Sequence, residues 1–542
     1  MEDTRALEII KMASDEESKA CNFRNLYQEV ADYMYPCENQ IISQRTPGED
    51  KSLRILDPTP MFAVDDMVGG LIGTWIPSGQ NFFGLKTKSR IENQSDRAMR
   101  YLSMGTEIGH EEMFDSNFML QLHDTVKSLV CFGTGNLYTE WDKSRMGLNY
   151  KDWHISTYTI KQNARGLVDT VILTYELTAR QASDEFANPG EQVLESVKEL
   201  KTESKKFKFI QVVRPRIRRN QMLVDNLNMP FENVVVNVKE KAVVYESGYE
   251  ENPFAVPRWE KSSVEKYGRG RGTIMLSAVK ELQQMWQDYM KRVERTNNPP
   301  RWEIADGVEG ELNNSPGARN VFNEPNAAGA LDPLMNGYGN EAKEMIEIQQ
   351  EIINKGFFKD IFVQLGDLKG DRRTTVEIQA RLREGLRRLV SPVARLEYEL
   401  FTPVVTRSVL LLIRNGRIPP PPPELQGQEL QVEYKGELAM AMRTYQARAF
   451  AEFASLLMGM SEHFPEAKYI LNLDRALPHV GTAYGVRVDD MNSQEEIDAL
   501  KQRDQERRDR LEQAAMVEAQ SQAYKNTQKS PEKGSPAEMV NA

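Results

Sequence analysis

The stretch TTVEIQARLREGLRRLVSPVARLEYELFTPVVTRSVLLLIR, residues 374–414, predicts one long helix that proline interrupts twice. Proline lacks a backbone N–H, and its ring clashes with the preceding turn. We therefore expect the helix to be kinked or segmented at Ser391–Pro392 and again at Thr402–Pro403. Five consecutive prolines follow at Pro419–Pro423, where we expect no helix but a stiff polyproline II strut of about 15 Å.

The residues at the start of this helix are basic, although the whole protein carries a net charge of −11. Between Lys369 and Arg388 there are seven basic and three acidic residues, and Gly366 and Gly370 bracket a loop ahead of the helix. Overall acidity argues against sequence-blind binding of nucleic acid over the whole surface. A basic cluster at one place can still contact DNA.

The basic residues also have a simpler interpretation, which is a solvated helix face with pairs such as Glu377–Arg381. It suits the later arginines as well as a DNA contact does. It explains Lys369, Arg372 and Arg373 less well, because no helix supplies partners to a loop between glycines.

Composition places the chain among soluble globular proteins, with 542 residues, 40% hydrophobic and 27% charged. That length predicts several structural regions. The charged start is unlike a signal peptide, and no apolar run reaches the roughly 18–20 residues that cross a bilayer. The three widely spaced cysteines, Cys21, Cys37 and Cys131, predict free thiols in a reducing compartment.

Hydrophobic periodicity predicts a mixture of helices and strands. Helices are expected near 61–72 and 96–132, the second ending at Gly133 and Gly135, and strands dominate from there to about 260 with one helix at 179–187. Later helices are expected at 271–297, 341–358, 439–460 and 493–520, and one strand at 429–438.

No motif for catalysis or for a metal ion stands out. The chain has no G-x-x-x-x-G-K-[ST], G-x-S-x-G, H-E-x-x-H or C-x-x-C. GRGRG at 268–272 is better explained as a flexible lead-in to a helix than as a phosphate loop. GHEE at 109–112, with His110, is better explained as a solvated helix face than as a metal site. The paired acids of VDD (64–66) and RVDD (487–490) could bind Mg²⁺, but such pairs are usually surface charges or caps. We expect no enzyme, no cofactor and no metal ion.

Five stretches, in order, resemble a known family. They are FRNLYQEVADYMYP (23–36), LDPTPMFAVDDMVGGLIGTWIPSGQNFFGL (56–85), YGRGRGTIMLSAVKELQQMWQDYMKRVERTNNPP (267–300), the segment from Arg372 to Leu425, and VEYKGELAMAMR (432–443). The sequence resembles the portal, or head-to-tail connector, proteins of short-tailed bacteriophages. One departure is Lys435–Gly436–Glu437, where the family pattern has a Ser-Pro-like pair.

The resemblance implies an α+β, helix-rich subunit in a ring of twelve identical copies around a central channel. Its regions would be a wing (1–270, continued by the kinked helix and a strand at 375–440), two stem helices (271–297 and 341–360), a clip (298–340), a tunnel loop (361–374), a helical crown (441–520) and a disordered tail (521–542).

The resemblance also implies a function. The ring would sit at one capsid vertex of the virion, having been made in the host cytoplasm, and would pass double-stranded DNA inward during packaging and outward during ejection. Terminase, tail adaptor proteins, and major capsid and scaffolding proteins would be its partners, and no membrane would be involved. Lys369, Arg372 and Arg373 of the tunnel loop would contact DNA phosphates without reading bases.

Two other classes remain open on the sequence alone. One is a structural helical adaptor or scaffold protein of the virion that does not enclose DNA. The other is a metal-dependent nuclease that uses Asp65 or Asp489 of the paired acids.

Overall fold

A computed structural model describes the chain in two compact units. The first comprises residues 1–86, 105–420 and 430–439, and the second comprises 87–104, 421–429 and 440–542. The structure describes residues 3–43, 48–49, 51, 55–76, 81–88, 96–198, 203–220, 222–223, 225–297, 301–304, 321–323, 326, 328–330, 339–361, 390–428, 430–434, 450, 453–455, 457 and 494–527.

The first helix, α1 (Thr4–Met34), lies on the larger sheet. Asp3 begins it as a side-chain cap, since its carboxylate accepts a hydrogen bond from the backbone N–H of Arg5 at 2.9 Å. Ala6, Ile9 and Ala13 recur on one face and pack against the strands. This contact forms one core cluster, whose other buried members are Ile172, Ile210, Val212, Val234 and Val236.

Three further helices follow before the sheets. They are α2 (Thr59–Trp75), α3 (Asp96–Asp115) and α4 (Phe118–Phe132), with strand β1 (Phe83–Thr87) between α2 and α3. Gly133 ends α4 in the left-handed conformation, with φ of 90°, as the glycine at that position predicts.

Two antiparallel sheets make up the β-rich part. The smaller has the strand order β3-β2-β9 and the larger the order β4-β5-β6-β7-β8. Helices α5 (Ala179–Glu185) and α6 (Glu191–Lys198) cover a second core cluster that contains Phe186, Phe207 and Phe209. The strands are β2 (Leu137–Asp142), β3 (Gly147–Asp152), β4 (Tyr158–Gln162), β5 (Val168–Thr178), β6 (Lys206–Pro215), β7 (Phe231–Asn237), β8 (Ala242–Tyr249) and β9 (Phe254–Ala255).

A pair of long helices follows the sheets. Helix α7 (Arg271–Asn297) and helix α8 (Gly339–Gly356) pack together, and the short strands β10 (Arg301–Glu303) and β11 (Ala328–Ala330) pair antiparallel between them in the chain. The predicted helices at 271–297 and 341–358 are therefore present.

The long helix that the opening sequence predicts is described from Val390. It consists of α9 (Val390–Leu396), one π-helical turn (Glu397–Phe401) and α10 (Thr402–Arg414). The irregularity thus falls immediately before Pro403, as predicted. Pro423 opens a 3-10 turn that ends at Leu425. The polyproline II strut expected at Pro419–Pro423 therefore does not include Pro423. Proline fits the first position of a helical turn, because its fixed φ suits the turn and its missing N–H is not needed there.

The remaining elements are β12 and the last helix. Strand β12 (Leu430–Tyr434) pairs with β1. In the second unit, α11 (Gln494–Thr527) runs seven residues past Gln520. The helix thus extends into the first residues of the predicted tail, and the tail itself stays a prediction. Most of the predicted crown lies outside the described residues.

Long helices with antiparallel sheets confirm the predicted α+β, helix-rich class. The division into wing, stem, clip and crown, and the ring itself, stay predictions. Cys21 and Cys37 are exposed free thiols, and Cys131 is a buried one.

Candidate functional site: the helix pair and the ends of the basic loop

The three residues predicted to contact DNA, Lys369, Arg372 and Arg373, lie outside the described residues. The structure does describe the two ends of the segment that holds them. One end follows helix α8 and reaches Ile361, and the other enters α9 at Val390. The candidate site therefore consists of the helix pair and of the residues that border the basic segment on each side.

Helix α7 turns an apolar face to its neighbours. Leu276, Val279 and Leu282 are buried at helical spacing, and Ile346 and Ile353 are buried on α8. A polar contact fixes the position of α8 along the axis of α7. The side-chain amide of Gln349 on α8 donates to the carbonyl of Ala278 at 3.0 Å and to the carboxylate of Glu281 at 3.2 Å, both on α7.

Asp57 ties the start of α2 to both helices of the pair. One carboxylate oxygen accepts from the N–H of Thr59, the first residue of α2, at 2.8 Å. The other accepts from the indole N–H of Trp286 on α7 and from the amide of Gln350 on α8 at 2.7 Å. One carboxylate therefore joins three elements that are far apart in the sequence.

The backbone around Asp57 is held by Gln283 of α7. Its side-chain oxygen accepts from the N–H groups of Leu56 (2.7 Å) and Asp57 (3.0 Å), and its amide donates to the Asp57 carbonyl at 2.9 Å. Burial alone would raise the pKa of Asp57, which is only 3% exposed. The hydrogen bonds outweigh burial and hold its pKa below the ordinary value.

The lead-in to α7 is tightly packed, not flexible as the GRGRG stretch predicted. A Cβ on Gly270 would lie 2.5 Å from the Val130 carbonyl oxygen, and one on Gly272 would lie 2.5 Å from that of Cys131. A Cβ on Gly268 would lie closer still, 2.2 Å from the Gly133 carbonyl oxygen. The glycines are needed because the chain passes directly against the end of α4. Their spacing serves packing, and we assign them no phosphate.

The N-terminal end of the basic loop is anchored just after α8. Phe357, Phe358 and Ile361 are buried, and Phe358 has a positive φ of 59°. The guanidinium of Arg271 lies 4.3 Å from the centre of the Phe358 ring. Lys359 forms an ion pair of 2.8 Å with Asp66 on α2. The chain therefore enters the basic segment from a position beside the first residue of α7.

The C-terminal end is anchored at the π-helical turn. The carboxylate of Glu399 accepts three hydrogen bonds from Arg258, one from its backbone N–H at 3.0 Å and two from its guanidinium at 3.1 and 2.5 Å. Arg258 is 1% exposed and also donates to the carbonyl of Gly166 at 3.0 Å. This buried ion pair fixes the turn to the segment that precedes α7.

Helix α10 is held equally firmly. Arg407, which is buried, donates to the carbonyl of Thr139 at 2.8 Å and to that of Glu251 at 3.1 Å. Burial lowers the pKa of Arg407, although Glu251 acts in the opposite direction. The hydroxyls of Ser408 and Tyr150 lie 2.6 Å apart in the core. Helix α10, which follows the π-helical turn, is therefore held in the core by buried polar contacts.

The outer faces of the helix pair differ in character. On α8, Met345, Ile348 and Ile352 follow one another at three- and four-residue spacing and are 57%, 58% and 45% exposed. Helix α8 carries four acidic residues against two basic ones, whereas α7 carries five basic against three acidic. The pair therefore presents an apolar stripe and two helices of opposite net charge.

The catalytic and metal candidates do not come together. Asp65 and Asp66 point to different partners, Lys127 at 2.7 Å and Lys359 at 2.8 Å. Asp489 lies outside the described residues. Within the described part of the chain, no group of three potential ligands for a metal ion occurs.

His110 is buried, so the expectation of a solvated helix face was wrong. Its Nε2 accepts from the N–H of Phe82 at 3.1 Å, and its ring stacks on Phe83 and Phe114. The physical reason is that α3 turns this face to β1, which GHEE alone does not reveal. None of the described helices is both long and apolar enough to cross a membrane.

Sequence reasoning missed the partners of Asp57 and the Arg258–Glu399 ion pair. Asp57 precedes Pro58 and Pro60, so its contact at the start of α2 could have been inferred from that stretch. Nothing in the local pattern points to Trp286 or Gln350. These partners lie 229 and 293 residues away along the chain.

Comparison with known proteins decides the family. A sequence model described as "Bacteriophage head to tail connecting protein" matches residues 8–491. The chain belongs to this family of bacteriophage head to tail connecting proteins. The predicted resemblance to head-to-tail connectors is thereby confirmed.

Two relatives agree with this membership. The portal protein of Salmonella phage epsilon15 is 24% identical over 533 residues, which cover 96% of this chain and 94% of the relative. The probable portal protein of Bordetella phage BPP-1 is 22% identical over 456 residues, which cover 83% and 82%. The family is one of virion components that connect head and tail.

Proposed function

We propose that this head to tail connecting protein is a portal: a ring of twelve copies at one capsid vertex, through which double-stranded DNA is packaged and later ejected. Two relatives named as portal proteins, matched over more than four fifths of each chain, support the proposal. The observation in this subunit that carries it is the exposed apolar stripe on α8.

Exposing this apolar stripe to water is unfavourable in free energy. Fully burying an Ile or Met side chain stabilises a protein by about 1.5–3 kcal/mol. Met345, Ile348 and Ile352 are each about half exposed. Covering the three would therefore contribute about 3 kcal/mol to each contact between subunits. The occupant we propose is α7 of the next copy in the ring.

Charge supports α7 as the occupant. Helix α8 has an excess of two acidic residues, and α7 an excess of two basic residues. A contact between unlike faces of identical subunits is heterologous, and it closes into a ring when the rotation allows. Two α8 faces brought together would repel each other, which disfavours a twofold dimer through this surface.

The basic loop gives the ring its contact with DNA in this proposal. Lys369, Arg372 and Arg373 repeat in every subunit and would form a ring of cations that contact phosphates and read no bases. Support comes from the anchoring of both ends of the segment on buried residues, Ile361 on one side and the Glu399 ion pair on the other. Acidic surface elsewhere would keep DNA from adhering.

The remaining partners follow from the same proposal. Terminase and then tail adaptor proteins would bind the clip at 298–340, which connects α7 to α8 in the chain. Major capsid and scaffolding proteins would surround the ring. Deleting Gly310–Gly329 should leave the wing folded and abolish binding of the tail proteins; undiminished binding in a pull-down would contradict the clip assignment.

The ring is tested directly by mass photometry and negative-stain microscopy of the purified protein. We expect particles near twelve times 62.0 kDa. Changing both Ile348 and Ile352 to Glu should yield monomers with an unchanged circular dichroism spectrum. Ile217→Glu serves as the control, because Ile217 is 92% exposed on the loop after β6 and should leave the ring intact.

A charge exchange tests the choice of α7. Glu344→Lys with Glu347→Lys should weaken the ring, and adding Lys291→Glu with Arg295→Glu should restore it. A monomeric or dimeric wild-type protein would refute the portal and favour the adaptor. Rings that survive the stripe variants would refute the proposed contact but not the portal.

A further inference from the structure

The π-helical turn Glu397–Phe401 interrupts a helix that is otherwise continuous from Val390 to Arg414. In this turn the N–H of Thr402 donates to the carbonyl of Glu397, five residues earlier, instead of four. Such single turns are rare, and they occur frequently at functional sites. Closing the turn to the α register would displace the preceding helix by one residue, which is about 100° of rotation and about 1.5 Å of rise.

Three donors hold the π register at one carbonyl. Besides the N–H of Thr402, the carbonyl of Glu397 accepts from the Thr402 hydroxyl at 2.8 Å and from the Tyr434 hydroxyl at 3.1 Å. Pro403 offers no N–H to the turn before it. The π register is therefore held by the N–H and hydroxyl of Thr402 within the helix and by the hydroxyl of Tyr434 from strand β12, next to a proline that cannot supply an N–H.

The turn is fixed on one side and open on the other. Glu399 is held by Arg258, and Leu400 and Phe401 are buried at 0% and 2% exposure. Tyr398, which immediately precedes them, is 60% exposed. Tyr398 therefore projects outward, and its deletion would shorten the turn by one residue without removing a buried side chain.

We propose that this turn is a two-register joint, latched by the ion pair between Arg258 and Glu399. With the pair closed, the turn stays π-helical and α9 keeps its present rotation. With the pair open, the turn closes to the α register and α9 shifts by one residue against α10, which Arg407 and Ser408 hold in the core. The joint gives one helix two arrangements without unfolding it.

Hydrogen exchange of the full-length protein, read by mass spectrometry over residues 396–404, tests the joint without DNA. Glu399→Gln removes the charge on the latch and should speed exchange in this segment at least about tenfold. Glu397→Gln is the matched control, because Glu397 contributes its carbonyl and not its carboxylate to the bonds above. It should exchange as the wild type does.

If Glu399→Gln folds poorly, deletion of Tyr398 provides a second, independent test of the joint. The shortened turn should become α-helical, fold normally and exchange more slowly than the wild type over 396–404. Three results would overturn the proposal: wild-type exchange in Glu399→Gln, faster exchange that spreads equally over β2 and β3, or an unfolded first unit after deletion of Tyr398. Each would make the turn a static part of the core.

Discussion

Replacing Asp57 with Ala should loosen the start of α2 and both helices of the pair together. The substitution removes the hydrogen bond to the N–H of Thr59, which contributes about 1 kcal/mol. It also leaves the Trp286 indole and the Gln350 amide without their acceptor, at about 1 kcal/mol or more for each. We expect a loss of about 3 kcal/mol in the local stability of this junction.

Hydrogen exchange is the suitable assay, because a chain with two compact units does not have a single free energy of unfolding. A loss of about 3 kcal/mol corresponds to exchange that is about 10²-fold faster at the first turn of α2 and at the contact between α7 and α8. Asp65→Asn is the matched control on the same helix. Its exposed ion pair with Lys127 should contribute less than about 1 kcal/mol.

The same carboxylate gives the junction a pH dependence with a defined sign. The pKa of Asp57 is lower in the folded protein than its ordinary value. Its stabilising contribution is therefore complete above the unfolded pKa of about 3.9 and is lost as pH falls through the lower folded pKa. In Asp57→Asn this loss should disappear. The reasoning is refuted if Asp57→Ala speeds exchange no more than Asp65→Asn, or if it affects α2 and leaves the helix pair unchanged.

Three further predictions follow from buried groups and from the basic loop. Burial raises the pKa of Asp152 to about 7, so local stability around β3 should fall as pH rises from about 4 to 7, and hydrogen-exchange protection of β3 in Asp152→Asn should lack this slope. Gly270→Ala should lower local stability at the start of α7 by about 2 kcal/mol or more, read by hydrogen exchange, because its Cβ meets the Val130 carbonyl, whereas Gly73→Ala, with open space around it, should be neutral or slightly stabilising. Replacing Lys369, Arg372 and Arg373 with Ala should leave rings intact but impair DNA retention late in packaging; normal retention at every salt concentration would remove these residues from the DNA path.

The sequence by itself determined the elements whose signals are local. Helix α7 begins and ends where predicted, at Arg271 and Asn297, because its apolar spacing is regular and two prolines follow it. Gly133 ends α4 because it can adopt a positive φ. The irregularity near Pro403 follows from the missing N–H. In each case the cause and the effect lie within a few residues of each other.

Only the tertiary structure decided which distant residues each element contacts and which of its side chains are buried. GRGRG suggested flexibility, yet the same glycines are the places where α4 comes too close for any Cβ. GHEE suggested a solvated face, yet His110 is buried against Phe82 and Phe83. Asp57 meets residues more than 200 positions away. A residue's local pattern records the backbone preferences of its own segment, but burial and hydrogen-bond partners depend on which distant segment packs against it.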